Sequence, residues 1–222
     1  MSSYLATQTK GSYQINTDST WRDYWTLLKP RVMVLVTLSG WVGLYLAPGD
    51  LHISQMIITI LCIAAGSGSA GALNMWIEQK TDGLMARTKM RPLPQGRIES
   101  ANALAFALCL ASASVLLLGL ASNWIAALWL LIAILFYVGV YTCWLKPRTP
   151  QNIVIGGAAG AFPPVIGWSA MVPDWSWQLS SLTPWAIFLI IFVWTPPHFW
   201  ALALFRCSDY AKAGIPMLPV QA

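Results

Sequence analysis

Six apolar runs joined by short connections leave this chain few ways to fold. They cover roughly residues 32–47, 53–76, 101–120, 124–145, 152–172 and 184–205. Each is close to the ~20 residues a helix needs to cross a hydrocarbon core. In lipid every backbone amide must be bonded within the structure, and continuous apolar runs of this length satisfy that as helices. The 222 residues are 57% hydrophobic and 9% charged, whereas about a quarter of a soluble domain is charged. Thirteen tryptophans suit rings that settle at the headgroup layer. The expected architecture is an all-α, polytopic membrane helix bundle with six transmembrane helices. Cys62, Cys109, Cys143 and Cys207 lie within or at the end of apolar runs and form no CxxC pair, so neither disulfides nor zinc are suggested.

The basic residues orient the bundle. All thirteen lysines and arginines fall in four segments that alternate spans place on one side: Lys10, Arg22, Lys29 and Arg31; Lys80, Arg87, Lys89, Arg91 and Arg97; Lys146 and Arg148; Arg206 and Lys212. The opposite loops, 48–52, 121–123 and 173–183, offer only Asp50, His52 and Asp174 as titratable groups. This asymmetry puts both termini on the cytoplasmic side of a bacterial inner membrane, or on the matrix side of the mitochondrial inner membrane. The N-terminus lacks an Arg-rich transit pattern, which favours the bacterial setting. The net charge of +5 follows from this topology and is no sign of nucleic-acid binding. Residues 1–20 are polar and Ser/Thr-rich, as expected of a disordered cytoplasmic tail. Trp21, Tyr24, Trp25 and Leu28, at i, i+3, i+4 and i+7, predict a short interfacial helix. Residues 21–222 then form one membrane domain.

The chemistry concentrates where the second span runs past its apolar limit. Asn74, Glu78 and Asp82, at i, i+4 and i+8, share one helical face with a drift of about 40° per step. An amide and two carboxylates at a membrane boundary are costly without a partner. Such oxygens suit Mg²⁺, which takes one or two carboxylates together with substrate phosphates. Arg87, Lys89, Arg91 and Arg97 follow at once, and guanidinium and ammonium groups suit a diphosphate. On spacing alone the stripe reads equally well as a helix end with solvated charges.

The residues themselves go further. Asn74-x3-Glu78-x3-Asp82, followed by the run from Leu84 through Ala86-Arg87-Thr88-Lys89-Met90-Arg91 to Pro94, resembles the first signature of the UbiA-type intramembrane prenyltransferases. More narrowly it is similar to the protoheme IX farnesyltransferase, or heme O synthase, branch. So are Leu28-Lys29-Pro30-Arg31, Tyr141-Thr142-x2-Leu145-Lys146, the run Thr149-Pro150-Gln151-Asn152, and Trp194-Thr195-Pro196-Pro197-His198-Phe199-Trp200. Asp209-Tyr210-x2-Ala213-Gly214-Ile215-Pro216 belongs to the second signature region. Two positions depart from the pattern. Relatives commonly carry Asp at Glu78, and often a further Asp at Lys80. Lys80, six residues after Asn74, lies about 240° around the helix and off the stripe. The family has nine membrane helices and this sequence holds six, so the domain is expected to be incomplete at its C-terminus, either as a fragment or as a natural truncation.

The resemblance implies transfer of farnesyl from farnesyl diphosphate to a vinyl group of heme B, which is a substrate and not a cofactor, giving heme O. It implies Mg²⁺, or Mn²⁺ in its stead, on Asn74, Glu78, Asp82 and Asp209. Asn74, Glu78, Asp82, Arg87 and Arg91 become the expected catalytic set. Lys29, Arg31, Arg87, Arg91, Lys146 and Arg148 become the expected diphosphate donors. His198 follows Pro196-Pro197 about 12 Å from the basic side and is a candidate heme ligand or propionate partner; equally, it is satisfied by carbonyls the prolines free. The prolines predict a bent helix lining a cavity. Expected partners are the two substrates, membrane lipid, and a heme A synthase or terminal oxidase that takes the product, with no nucleic acid. Gly66, Gly68 and Gly71, and the run from Gly156 to Gly160, read mainly as helix-packing faces, with room for a prenyl tail as the other reading of the first. Tyr141 reads as a belt aromatic or a diphosphate neighbour. The alternatives are a prenyltransferase for a quinone precursor and a truncated non-catalytic paralogue. A transporter is disfavoured because the ionisable groups cluster on one face.

Overall fold

Every apolar run becomes helix. In the computed structural model, residues 19–174, 181–216 and 218 are described, apart from the side chains of Ser208 and Asp209. Most of the expected 1–20 tail therefore lies outside the described residues.

Thr20 begins α1 (Trp21–Leu27), its hydroxyl and amide donating to Asp23 Oδ2 at 2.7 and 3.1 Å. A 54° bend separates α1 from α2 (Pro30–Leu46). Lys29 sits at the bend with φ +53°, the only described non-glycine residue of positive φ. The following proline bars the right-handed helical region to it. On the far side His52 caps α3 (Ile53–Ile77) by accepting from the Ser54 amide, and Asn123 caps the helix that starts at Trp124 by accepting from the Ile125 and Ala126 amides. Beyond α3 come α4 (Gln79–Asp82), a turn-rich segment, and α5 (Ser100–Ala121). The fourth span starts as α6 (Trp124–Leu135) and changes to a π-helix over Phe136–Leu145. The fifth is three stretches, α7 (Asn152–Gly156), α8 (Ala158–Ala161) and α9 (Pro163–Met171). Then follow α10 (Leu182–Leu204) and α11 (Cys207–Lys212).

The chain is an all-helical membrane bundle. Among the described residues Ile53–Ile77, Ser100–Ala121, Trp124–Leu145, Asn152–Met171 and Leu182–Leu204 are each long and apolar enough to cross a membrane, and the bent pair of α1 and α2 counts as a sixth if the two are one span. The central helix α3 packs on α2 and α5, while α9 packs on α2 and α6. Where α2 meets α9 the backbones touch: a Cβ on Gly43 would lie 2.0 Å from the Pro164 carbonyl oxygen. Leu44, Ile63, Ala72, Leu118, Leu130 and Ile166 lie in the core between these helices. Large apolar side chains such as Leu35, Leu116 and Val193 face outward, as lipid-facing positions do.

Candidate active site

The expected carboxylate stripe exists, but not on one helix. α3 ends at Ile77, Glu78 takes φ −90° and ψ 7°, and α4 completes the turn. The Glu78 amide still donates to the Asn74 carbonyl (3.0 Å), and the Asp82 amide to the Glu78 carbonyl (2.8 Å). These two i→i+4 bonds keep the three side chains in line across the break at Glu78. All three are buried.

Each faces a cation from a different part of the chain. The Lys29 ammonium donates to Asn74 Oδ1 at 2.5 Å. Lys146 pairs with Glu78. Arg91 Nη1 lies 2.5 Å from Asp82 Oδ2, and the Thr88 hydroxyl holds the Asp82 carbonyl at 2.8 Å, tying the turn-rich segment back under α4. Thr142 supports the other end, accepting from Asn74 Nδ2 at 3.1 Å while donating to the Tyr137 carbonyl. The rings of Tyr137 and Tyr141 stack at 5.4 Å between centroids, with Lys29 and Lys146 each 6.0 Å from one of them. A Cβ on Gly156 would stand 2.2 Å from the Tyr141 ring, so only glycine there lets Tyr141 settle in place.

These groups surround a cavity of about 340 Å³, completed by Met85, Arg87, Thr195, Phe199, Tyr210 and the backbone from Gly156 to Gly160. Among the described side chains lining it, four cations (Lys29, Arg87, Arg91, Lys146) oppose two carboxylates (Glu78, Asp82), an excess of two positive charges. Lys29, Val32, Tyr137, Ala159 and Gly160 also line a second, apolar cavity of about 130 Å³ reaching into the bundle. A charged chamber thus adjoins an apolar one.

The donor set can be tested against a magnesium ion. Asp82 Oδ1 is buried and makes no hydrogen bond, a cost unless a cation reaches it. Among the described residues no three histidine, cysteine or acidic side chains converge. The described ligands are therefore two carboxylates and an amide, which suits a hard cation that draws its other ligands from water and phosphate.

The remaining expected residues fall elsewhere. Arg97 turns from the cavity to Asp23, 2.9 Å away. Arg148 is spent on the Cys143 and Trp144 carbonyls at the end of the π-helix. Arg31 is exposed on the outer side of α2. Lys80 is exposed and off the stripe, at the angle its spacing predicts. His198 is exposed on α10, between Trp194 and Phe199, and does not line the cavity; Thr195 and Phe199 of the same helix do. α10 runs on through Pro196 and Pro197 as one helix. The Asp209 side chain lies outside the described residues. Tyr137 and Thr142 were given no role by sequence reasoning, although two tyrosines at i, i+4 inside a span were a usable signal.

A sequence profile of the UbiA prenyltransferase family matches residues 33–222. The chain is 55% identical over 202 residues to a protoheme IX farnesyltransferase of Novosphingobium aromaticivorans, covering 91% of this chain and 65% of that protein. It is 56% identical over 200 residues to one of Rhodopseudomonas palustris, covering 90% and 62%. The chain therefore spans less than two thirds of the length of these curated relatives. The fold is similar to that of a UbiA homolog from Archaeoglobus fulgidus bound to GPP and Mg²⁺, with a TM-score of 0.69, 20% identity, and coverage of 90% of this chain and 69% of that one. It is also similar to a digeranylgeranylglyceryl phosphate synthase structure, with a TM-score of 0.70, 18% identity, and coverage of 90% and 68%.

Proposed function

Because the chain belongs to the UbiA prenyltransferase family, we propose that it transfers a farnesyl group from farnesyl diphosphate to a vinyl group of heme B, giving heme O and diphosphate. The observation that carries this reading is the charged chamber side by side with an apolar one. That shape suits a molecule with a polyanionic head and a hydrocarbon tail. The choice of heme B as acceptor rests on the relatives at 55–56% identity.

Asn74, Glu78 and Asp82 would hold Mg²⁺, which when bound neutralises charge on the departing diphosphate. Lys29, Arg87, Arg91 and Lys146 donate to the diphosphate oxygens, and three of them exchange a present acidic or amide partner for substrate. Their positions are preset by those partners, so little reorganisation accompanies the reaction. The C1–O bond of the donor breaks with its electron pair leaving on diphosphate. The terminal vinyl carbon of heme B bonds to C1, and the positive charge moves to the neighbouring vinyl carbon. A water oxygen adds there and loses a proton, leaving a hydroxyethylfarnesyl group. Tyr137, which lines both chambers, and Tyr141 stacked on it shield the allylic carbon from water before the vinyl group arrives.

On this reading the chain lies in a bacterial inner membrane with its N-terminus cytoplasmic, and its product goes to a heme A synthase or terminal oxidase. The test uses membranes from cells expressing this chain beside a version extended by the family's further helices, supplied with heme B, farnesyl diphosphate and Mg²⁺. Extracted heme O, identified by mass, supports the reading. Its absence from both, with prenylation of a quinone precursor by the same membranes, would replace it.

A further inference from the structure

The direction of each helix identifies the innermost residues of the apolar chamber. α2 and the fifth span run inward from the basic side, and α3 and the fourth span run outward toward it. The deepest lining residue on each is therefore Val36 on α2, Ile63 on α3, Leu130 on α6 and Ile166 on α9. Ile63 lies eleven residues below Asn74, about 16 Å along the helix. Ile63, Leu130 and Ile166 are almost fully buried. Two of them lie across glycines: a Cβ on Gly66 would stand 2.7 Å from the Leu130 side chain, and one on Gly40 would stand 2.9 Å from Ile63. The small residues of α3 thus do two things. Gly66 makes room for Leu130 to cross the end of the chamber, while Ser67, Ala70 and Gly71 leave its wall open.

We propose that Val36, Ile63, Leu130 and Ile166 form a floor that sets the length of the prenyl chain accepted, with Leu130 the decisive residue. The inference rests on the prenyl-transfer reading and specifies its donor. A chain that ends at the floor fills the chamber, and one isoprene unit more runs against Ile63, Leu130 and Ile166. In a close-packed interior the extra unit forces side chains off their preferred rotamers.

The test is displacement of labelled farnesyl diphosphate, in the presence of Mg²⁺, from the detergent-solubilised chain by geranyl and geranylgeranyl diphosphate. Leu130→Ala removes the bar across the end and is expected to raise the affinity for geranylgeranyl relative to farnesyl diphosphate about tenfold. Ala133 lines the chamber one turn nearer the charged site. Ala133→Leu is expected to lower the affinity for farnesyl relative to geranyl diphosphate by about the same factor. Opposite shifts from two neighbouring positions are not the result of a general loss of packing, and either variant decides the matter if the other fails to fold. Unchanged ratios in a folded variant would overturn the floor and leave prenyl transfer standing. Failure of all three donors to bind the unaltered chain would overturn both.

Discussion

Asp82 shows how much of the site is held by single contacts. One carboxylate oxygen meets Arg91 and the other is buried without a hydrogen bond. Removing the guanidinium leaves an uncompensated buried charge, a costlier change than losing the pair as a whole. Arg91→Met is expected to destabilise the solubilised protein by about 3 kcal/mol. The double variant with Asp82→Asn should recover a large part of that loss, and thermal unfolding of the four proteins measures the coupling. Glu78 is buried against Lys146. Glu78→Ala should lower heme O formation at least about a hundredfold in the active extended form. Turnover unchanged at saturating Mg²⁺ would remove Glu78 from the site. His198→Ala should leave Mg²⁺-dependent farnesyl diphosphate binding within about twofold, because the ring is exposed on α10 and not in the cavity.

Among the helices, the π-helical stretch Phe136–Leu145 positions the site most unexpectedly. Lys146 follows Tyr137 by nine residues, and at 100° per residue an α-helix would put them on opposite faces. The wider i→i+5 winding, seen in the Lys146 amide bonding the Tyr141 carbonyl, brings Tyr137, Tyr141, Thr142 and Lys146 to one side. Gly139 lies within this stretch with open space around it. Deleting Gly139 is expected to restore α-helical winding, in which the eight remaining steps leave Lys146 about 80° off the Tyr137 face. Farnesyl diphosphate binding should then be lost, whereas Gly139→Ala, which meets no neighbour, should bind normally. Equal binding by the two would show that the winding does not place Lys146.

At the scale of the whole molecule, the expected topology puts the basic loops on one side, and side-specific labelling tests that directly. With the four native cysteines replaced, Lys89→Cys should react with an impermeant maleimide in inverted vesicles, and His52→Cys only in right-side-out ones. The reverse pattern would turn the site to the other face of the membrane. The bundle, its spans and the alignment of Asn74, Glu78 and Asp82 were legible in the residues, because hydrocarbon thickness and helical period act on consecutive positions and need no knowledge of neighbours. Such local rules do not reveal that Arg97 meets Asp23, or that Arg148 donates to carbonyls at the end of the π-helix. They also could not place His198, since the face a proline-containing span turns inward depends on what packs against it. Which cation meets which acid, the winding that delivers Lys146 and the depth of the apolar chamber were settled only by packing. Those contacts join residues that in the case of Lys29 and Asn74 are 45 positions apart, and in the case of Lys146 and Glu78 farther still. No periodicity within one run carries information across such a distance.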